Sequence, residues 1–141
     1  MFKKGSLKLS SLISKAWSNL FSSKENNLYF PFELSKVEGG YGITAPLESD
    51  KLYPLYHNFF KRNGYEGNGY TWEGHIVQIL ESLDEGLLDE IDFDPEAGGF
   101  YAYVDSKKAQ QKFVKLLAPI FSDLEKLEIW VKRAEFDRIG D

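Results

Sequence analysis

At 141 residues the chain is about one domain long, and at 43% hydrophobic and 28% charged it is composed like a folded globule rather than a disordered segment. It has no cysteine, which excludes a disulfide framework, a thiol nucleophile and thiolate zinc sites; its two histidines are too few for a site built on His alone. The net charge of −5 is unevenly spread: Asn63 to Ser106 holds eleven acids and no Lys or Arg, and the flanks hold all seventeen basic residues, so a nucleic-acid partner would need the reverse charge in this middle third.

Residues 7–21 put Leu9, Leu12, Ile13, Ala16, Trp17, Leu20 and Phe21 on one helical stripe, with Lys8 and Lys15 beside it. Lysines and serines interrupt the apolar residues, which reads as an amphipathic helix rather than a signal peptide. No apolar run approaches the roughly 18 residues that span a bilayer. The stripe needs a cover: its own domain, a second copy in a homodimer, or, less favoured, a membrane surface. A polar break at 22–27 separates it from the body, giving an N-terminal helix and linker at 1–27 and an α+β domain at 28–141.

Residues 28–37 and 41–45 are strand-like, and Gly39-Gly40 between them signals a hairpin. Pro31 places the first strand at an edge or starts it late. A helix is expected from Asp50 to Arg62, with Leu52, Leu55, Tyr56 and Phe59 inward and Pro54 tolerated near its first turn. After a loop with three glycines at 63–69, the next helix is expected near Thr71 as its N-cap, with Trp72, Ile76, Ile79, Leu80 and Leu83 as its apolar face.

Glu90 to Asp94 alternates, Ile91 and Phe93 on one side and acids on the other. Asp94 to Gly99 is a turn in which Gly98 or Gly99 is expected at positive φ. Phe100, Ala102 and Val104 then alternate with Tyr101 and Tyr103. A helix follows Asp105-Ser106, with Ala109, Phe113, Leu116, Leu117 and Ile120 inward and Pro119 near its end. Ser122-Asp123-Leu124-Glu125 is a capping-box pattern opening a last helix, striped by Leu124, Leu127, Val131 and Ala134. The order predicts an α+β fold: two β-hairpins forming an antiparallel sheet covered by helices, with an extra N-terminal amphipathic helix.

The chemistry-bearing residues form no recognisable catalytic set. An EF-hand loop counted from Asp92 needs Gly and Glu where Ala97 and Tyr103 stand, so Asp92, Asp94 and Glu96 read as a solvated strand face or a negative patch, not a metal site. His57 and His75 read as structural or solvent-facing, since Glu73 and His75 are two apart and do not share a helical face. No GxSxG, HExxH or Walker loop appears, and no strand precedes Gly64, Gly67 and Gly69 as a dinucleotide site requires. No cofactor is implied. Trp72 after the glycine loop reads as core or as part of an interface.

Two segments carry a resemblance. Asn63 to Glu73, NGYEGNGYTWE, resembles the glycine-rich lead into a helix in the immunity protein 51 family of bacterial polymorphic-toxin systems. Ile91 to Tyr103, IDFDPEAGGFYAY, is similar to that family's hairpin, with Gly99 where a larger residue is expected. The resemblance covers about residues 28–137 and leaves the helix at 7–21 aside. It implies a non-enzymatic cytoplasmic protein that binds and blocks a cognate toxin domain. Many toxin domains of such systems are nucleases with basic clefts, which an acidic surface would complement. Glu66, Glu73, Asp92, Asp94 and Glu96, with Tyr70 and Trp72 from the first segment, are the candidate toxin-binding residues. Two rival classes stay open: an enzyme using paired carboxylates such as Glu73 and Asp94, and a membrane-surface scaffold using the helix at 7–21.

Overall fold

Pro31 has no backbone N–H to give a ladder, and strand β1 starts just after it, at Glu33–Val37. Gly39, at φ 85°, turns the chain into β2, Gly40–Ala45. The computed structural model describes residues 28–141; the expected helix at 7–21, its linker and any pairing through it lie outside the described residues. Helix α1 (Tyr53–Arg62) follows with Pro54 in its first turn, then α2 (Gly69–Leu83) and a 3-10 segment, Glu85–Glu90, that buries Leu87. The second hairpin is β3 (Ile91–Phe93) and β4 (Phe100–Val104), and α3 (Lys107–Phe121) and α4 (Leu124–Arg133) complete the fold.

The hairpins join through β2 and β4 into one antiparallel sheet, ordered β1-β2-β4-β3. Ile43 opposite Ala102, and Ala45 opposite Phe100, set the register. Because side chains alternate across a strand, Ile43, Ala45, Phe100, Ala102 and Val104 all reach one face and are buried there. α2 and α3 pack on β4, and α3 also on β2. Glu33, Ser35 and Asp92 take the other face, exposed, together with half-buried Thr44, Tyr101 and Tyr103. The α+β architecture read from the sequence is therefore the one observed.

Aromatic rings fill the space between sheet and helices. Trp72 is fully buried and touches Phe32, Tyr56, Phe60, Phe100 and Phe121, with ring centroids 4.6–6.4 Å apart. Phe32, from the segment before β1, meets Phe100, Phe113 and Phe121 edge-on. Two buried polar side chains tie the layers together. The Tyr56 hydroxyl donates to the Phe121 carbonyl at 2.6 Å, and Gln110 Nε2 donates to the Ser35 and Gly42 carbonyls, pinning α3 to the first hairpin.

Four expectations are corrected. α2 begins two residues before Thr71, because Asn68 is the N-cap: its Oδ1 accepts the Thr71 N–H at 3.0 Å, and Thr71 completes the capping box from the third helical position. Leu83 is 43% exposed, since the chain leaves the core at the helix end. α4 is capped by Asp123, whose carboxylate accepts from Glu125 and Lys126 N–H, not by Ser122. Neither Gly98 nor Gly99 has positive φ; what Gly99 lacks is room, since a Cβ there would sit 2.7 Å from the Tyr101 hydroxyl, whereas one at Gly98 would meet only the movable end of the exposed Glu48 side chain, at 3.0 Å.

Candidate functional site

The two sequence segments that stood out meet in space at Gly69. Its N–H donates to the Glu96 carbonyl at 3.1 Å, and a Cβ there would lie 2.1 Å from both the Glu96 and Gly99 carbonyl oxygens. Only glycine lets the β3–β4 turn close on the first turn of α2. The turn is itself closed by a reciprocal pair of backbone bonds between Glu96 and Gly99, at 2.9 and 3.2 Å. On the other side of the junction, Gly67 holds φ 80° in the loop. The Thr71 hydroxyl accepts from Gly67 N–H and donates to the Asp141 carboxylate at 2.8 Å, which also accepts the Glu66 N–H.

From Asp141 backward, the C-terminal segment runs as a strap along α2. The Gln78 side-chain amide pairs with the Glu135 backbone in both directions, at 3.1 and 2.8 Å. Arg138 makes a two-point bond to Glu81. Ile139 is buried over Gly74, where a Cβ would come within 2.7 Å of it. Between strap and helix lies a cleft of about 230 Å³ lined by Tyr70, Glu73, Gly74, Val77, Gln78, Arg138 and Gly140. Tyr70 at its rim is 41% exposed. Glu73 is half-buried, and burial pushes its carboxyl above the usual carboxylate range; it makes no hydrogen bond or ion pair among the described residues.

The candidate residues separate by depth and by layer. Glu66 is exposed and ion-paired to Lys61 at 3.2 Å, which spends part of its charge locally. Tyr70 and Glu73 face the cleft. Trp72, between them, is not a surface residue: its side chain points into the core, so its expected part in an interface is corrected to a structural one. Asp94 and Glu96 are exposed on the turn, and Glu96 is the residue that meets Gly69. Asp92 is exposed opposite Tyr103 on the outer sheet face, whereas α2 packs on the inner one.

Asp94 does not line the cleft that holds Glu73, so the paired-carboxylate arrangement does not form there. His75 is buried: its Nδ1–H donates to the Thr71 carbonyl at 2.9 Å, burial among Phe60 and Tyr65 lowers its basicity, and its Nε2, like Trp72 Nε1, finds no partner among the described residues. His57 stacks on Tyr53. Among the described residues no group of three or more His, Cys, Asp or Glu side chains is placed to hold a metal ion. Nor is any described helix long and apolar enough to cross a membrane.

The family model of immunity protein 51 matches residues 32–136, which include both hairpins, the glycine loop and all four helices described. The chain belongs to that family. Membership in the immunity protein 51 family supports an immunity function, and with it the binding of a cognate toxin protein as a non-enzymatic inhibitor. No curated protein and no solved structure matches the chain.

Sequence reasoning found both halves of the junction but not the cleft, whose second wall, Arg138 and Gly140, comes from the C-terminal strap. One signal was available. Gly74 inside an otherwise regular helix marks a close backbone approach, and Ile139 is what approaches.

Proposed function

We propose that this immunity protein neutralises its toxin by docking a basic face of the toxin domain onto the surface where the loop at 63–71 meets the turn at 94–99. The observation that carries the reading is the Gly69–Glu96 contact, which fuses the two family segments into one surface. Charge supports it: no Lys or Arg occurs between Asn63 and Ser106, and Lys61, just outside that stretch, is held by Glu66. Glu96 and Asp94 on the turn supply the negative field, Asp92 extends it around the sheet edge, and Tyr70 offers an exposed ring of the kind interfaces favour. A toxin with a basic cleft, such as a nuclease domain acting in the cytoplasm, is the partner this field complements.

Hydrogen exchange tests the location. A toxin domain encoded beside this gene would serve as the partner, mixed with the 141-residue chain. Protection is expected over residues 63–73 and 92–99 upon binding. Protection confined to α3 and α4, with the junction exchanging as in the free chain, would place the interface elsewhere.

A further inference from the structure

The cleft beside α2 has a chemistry of its own. At about 230 Å³ it is smaller than the roughly 300–1,000 Å³ usual for small-molecule sites, and a better match to one side chain than to a metabolite. Its polar lining is almost entirely committed. Gln78 spends its amide on Glu135, and Arg138 is neutralised by its two bonds to Glu81, with Glu135 a further 3.7 Å neighbour. Gly74, Val77 and Gly140 offer no charge. The exception is Glu73, a half-buried carboxylate that lines the cleft and makes no hydrogen bond or ion pair among the described residues.

A carboxylate partly stripped of water and given no partner is a cost the free protein carries. An anionic guest would add to that cost, and a neutral one would leave it in place. A cation would remove it, and Tyr70, which lines the same cleft and is partly exposed, offers an aromatic ring for the cation's face. Guanidinium suits this better than ammonium, being planar, weakly hydrated and able to bond a carboxylate at two points. The walls are fixed in advance, because the strap is held at Glu135, Arg138, Ile139 and Asp141.

We propose that this cleft is a socket for one arginine side chain of the toxin, with Glu73 as the carboxylate that receives the guanidinium and Tyr70 as the aromatic wall. The proposal rests on the reading that the chain docks a toxin protein, and adds where a single anchoring residue goes. Tyr70 directly follows Gly69, so the socket is continuous with the junction surface.

The test uses the full chain and a defined probe. In an NMR titration with N-acetyl-arginine methylamide, the Glu73 carboxyl carbon and the amides of Tyr70, Val77 and Gly140 should shift together and saturate. The neutral citrulline analogue should leave them in place, and Glu73→Gln, with its fold checked by thermal melting, should abolish the response. Equal responses to arginine and citrulline, a response that survives Glu73→Gln, or no response at all would overturn the socket. A second arm separates this idea from its parent. Against the toxin domain, Glu73→Gln should weaken affinity about tenfold, mainly through faster dissociation. Unchanged affinity in a chain whose junction is still protected on binding would sink the socket and leave the docking reading standing.

Discussion

The two faces of α2 are built from alternating residues of one short stretch, and they behave in opposite ways. Trp72, His75, Ile76, Ile79 and Leu80 point into the sheet–helix core, where aromatic partners surround them. Tyr70, Glu73 and Val77 point at the cleft and the solvent. Both faces carry a titratable group shifted toward its neutral form, but for different ends. His75 is enclosed by Phe60 and Tyr65, and neutrality is simply what burial allows. Glu73 is only half enclosed beside the cleft, and in the proposed socket it is the charge that a partner would complete. Adjacent residues of a single sequence motif thus divide between holding the fold and facing outward.

The largest effect that separates the faces is expected at Trp72. Trp72→Ala should cost about 3–5 kcal/mol in urea unfolding, because a buried indole at the centre of five aromatic contacts leaves a cavity its neighbours cannot fill. Toxin binding by the fraction that stays folded should change far less. A loss of affinity out of proportion to the loss of stability would mean that Trp72 acts at the interface after all.

His75 should give a pH signature of the core face. Its folded-state basicity lies below the ordinary value of 6.5, so the unfolded chain binds the proton first. Stability should be level above about pH 6.5 and fall as pH drops below it, until the folded state also protonates. Chemical denaturation at a series of pH values should show this slope, and His75→Phe should flatten it. A slope unchanged in that variant would assign it to other groups.

The smallest stability effect belongs to the outer face, and its sign is the informative part. Glu73 holds its proton to a higher pH when folded than when unfolded, so above the ordinary carboxylate range it subtracts from stability. Glu73→Gln should therefore raise the urea midpoint slightly at neutral pH while it weakens binding. Lower stability together with weaker binding would point to a structural role instead.

Much of this was legible in the sequence because local rules and tertiary burial agree. The alternation of Phe100, Ala102 and Val104 with two tyrosines, the Gly39-Gly40 turn and, apart from Leu83 and Ala134, the stripes of the four helices reappear in the structure. At the glycine turn, 98–99, turn chemistry alone points to positive φ, whereas the structure constrains Gly99 by the Tyr101 side chain folded against it and not by backbone angle. Trp72 carried two readings, since a single Trp in a motif says nothing about direction; the Asn68 cap fixes the helical phase that sends it inward. The cleft was out of reach for a different reason. It depends on a strap some 60 residues later in the chain, anchored by side chains whose pairing no periodicity announces.

The most direct test of the docking surface is the rate at which the toxin domain associates with the full chain across a salt series, compared between the native protein and Asp94→Lys/Glu96→Lys. Both side chains are exposed, so the fold should be unaffected. The charge-reversed chain should associate at least tenfold more slowly at low salt, with a flattened salt dependence, because surface charges act mainly on encounter. Wild-type rates and a wild-type salt slope would contradict the account and remove the acidic junction from the interface.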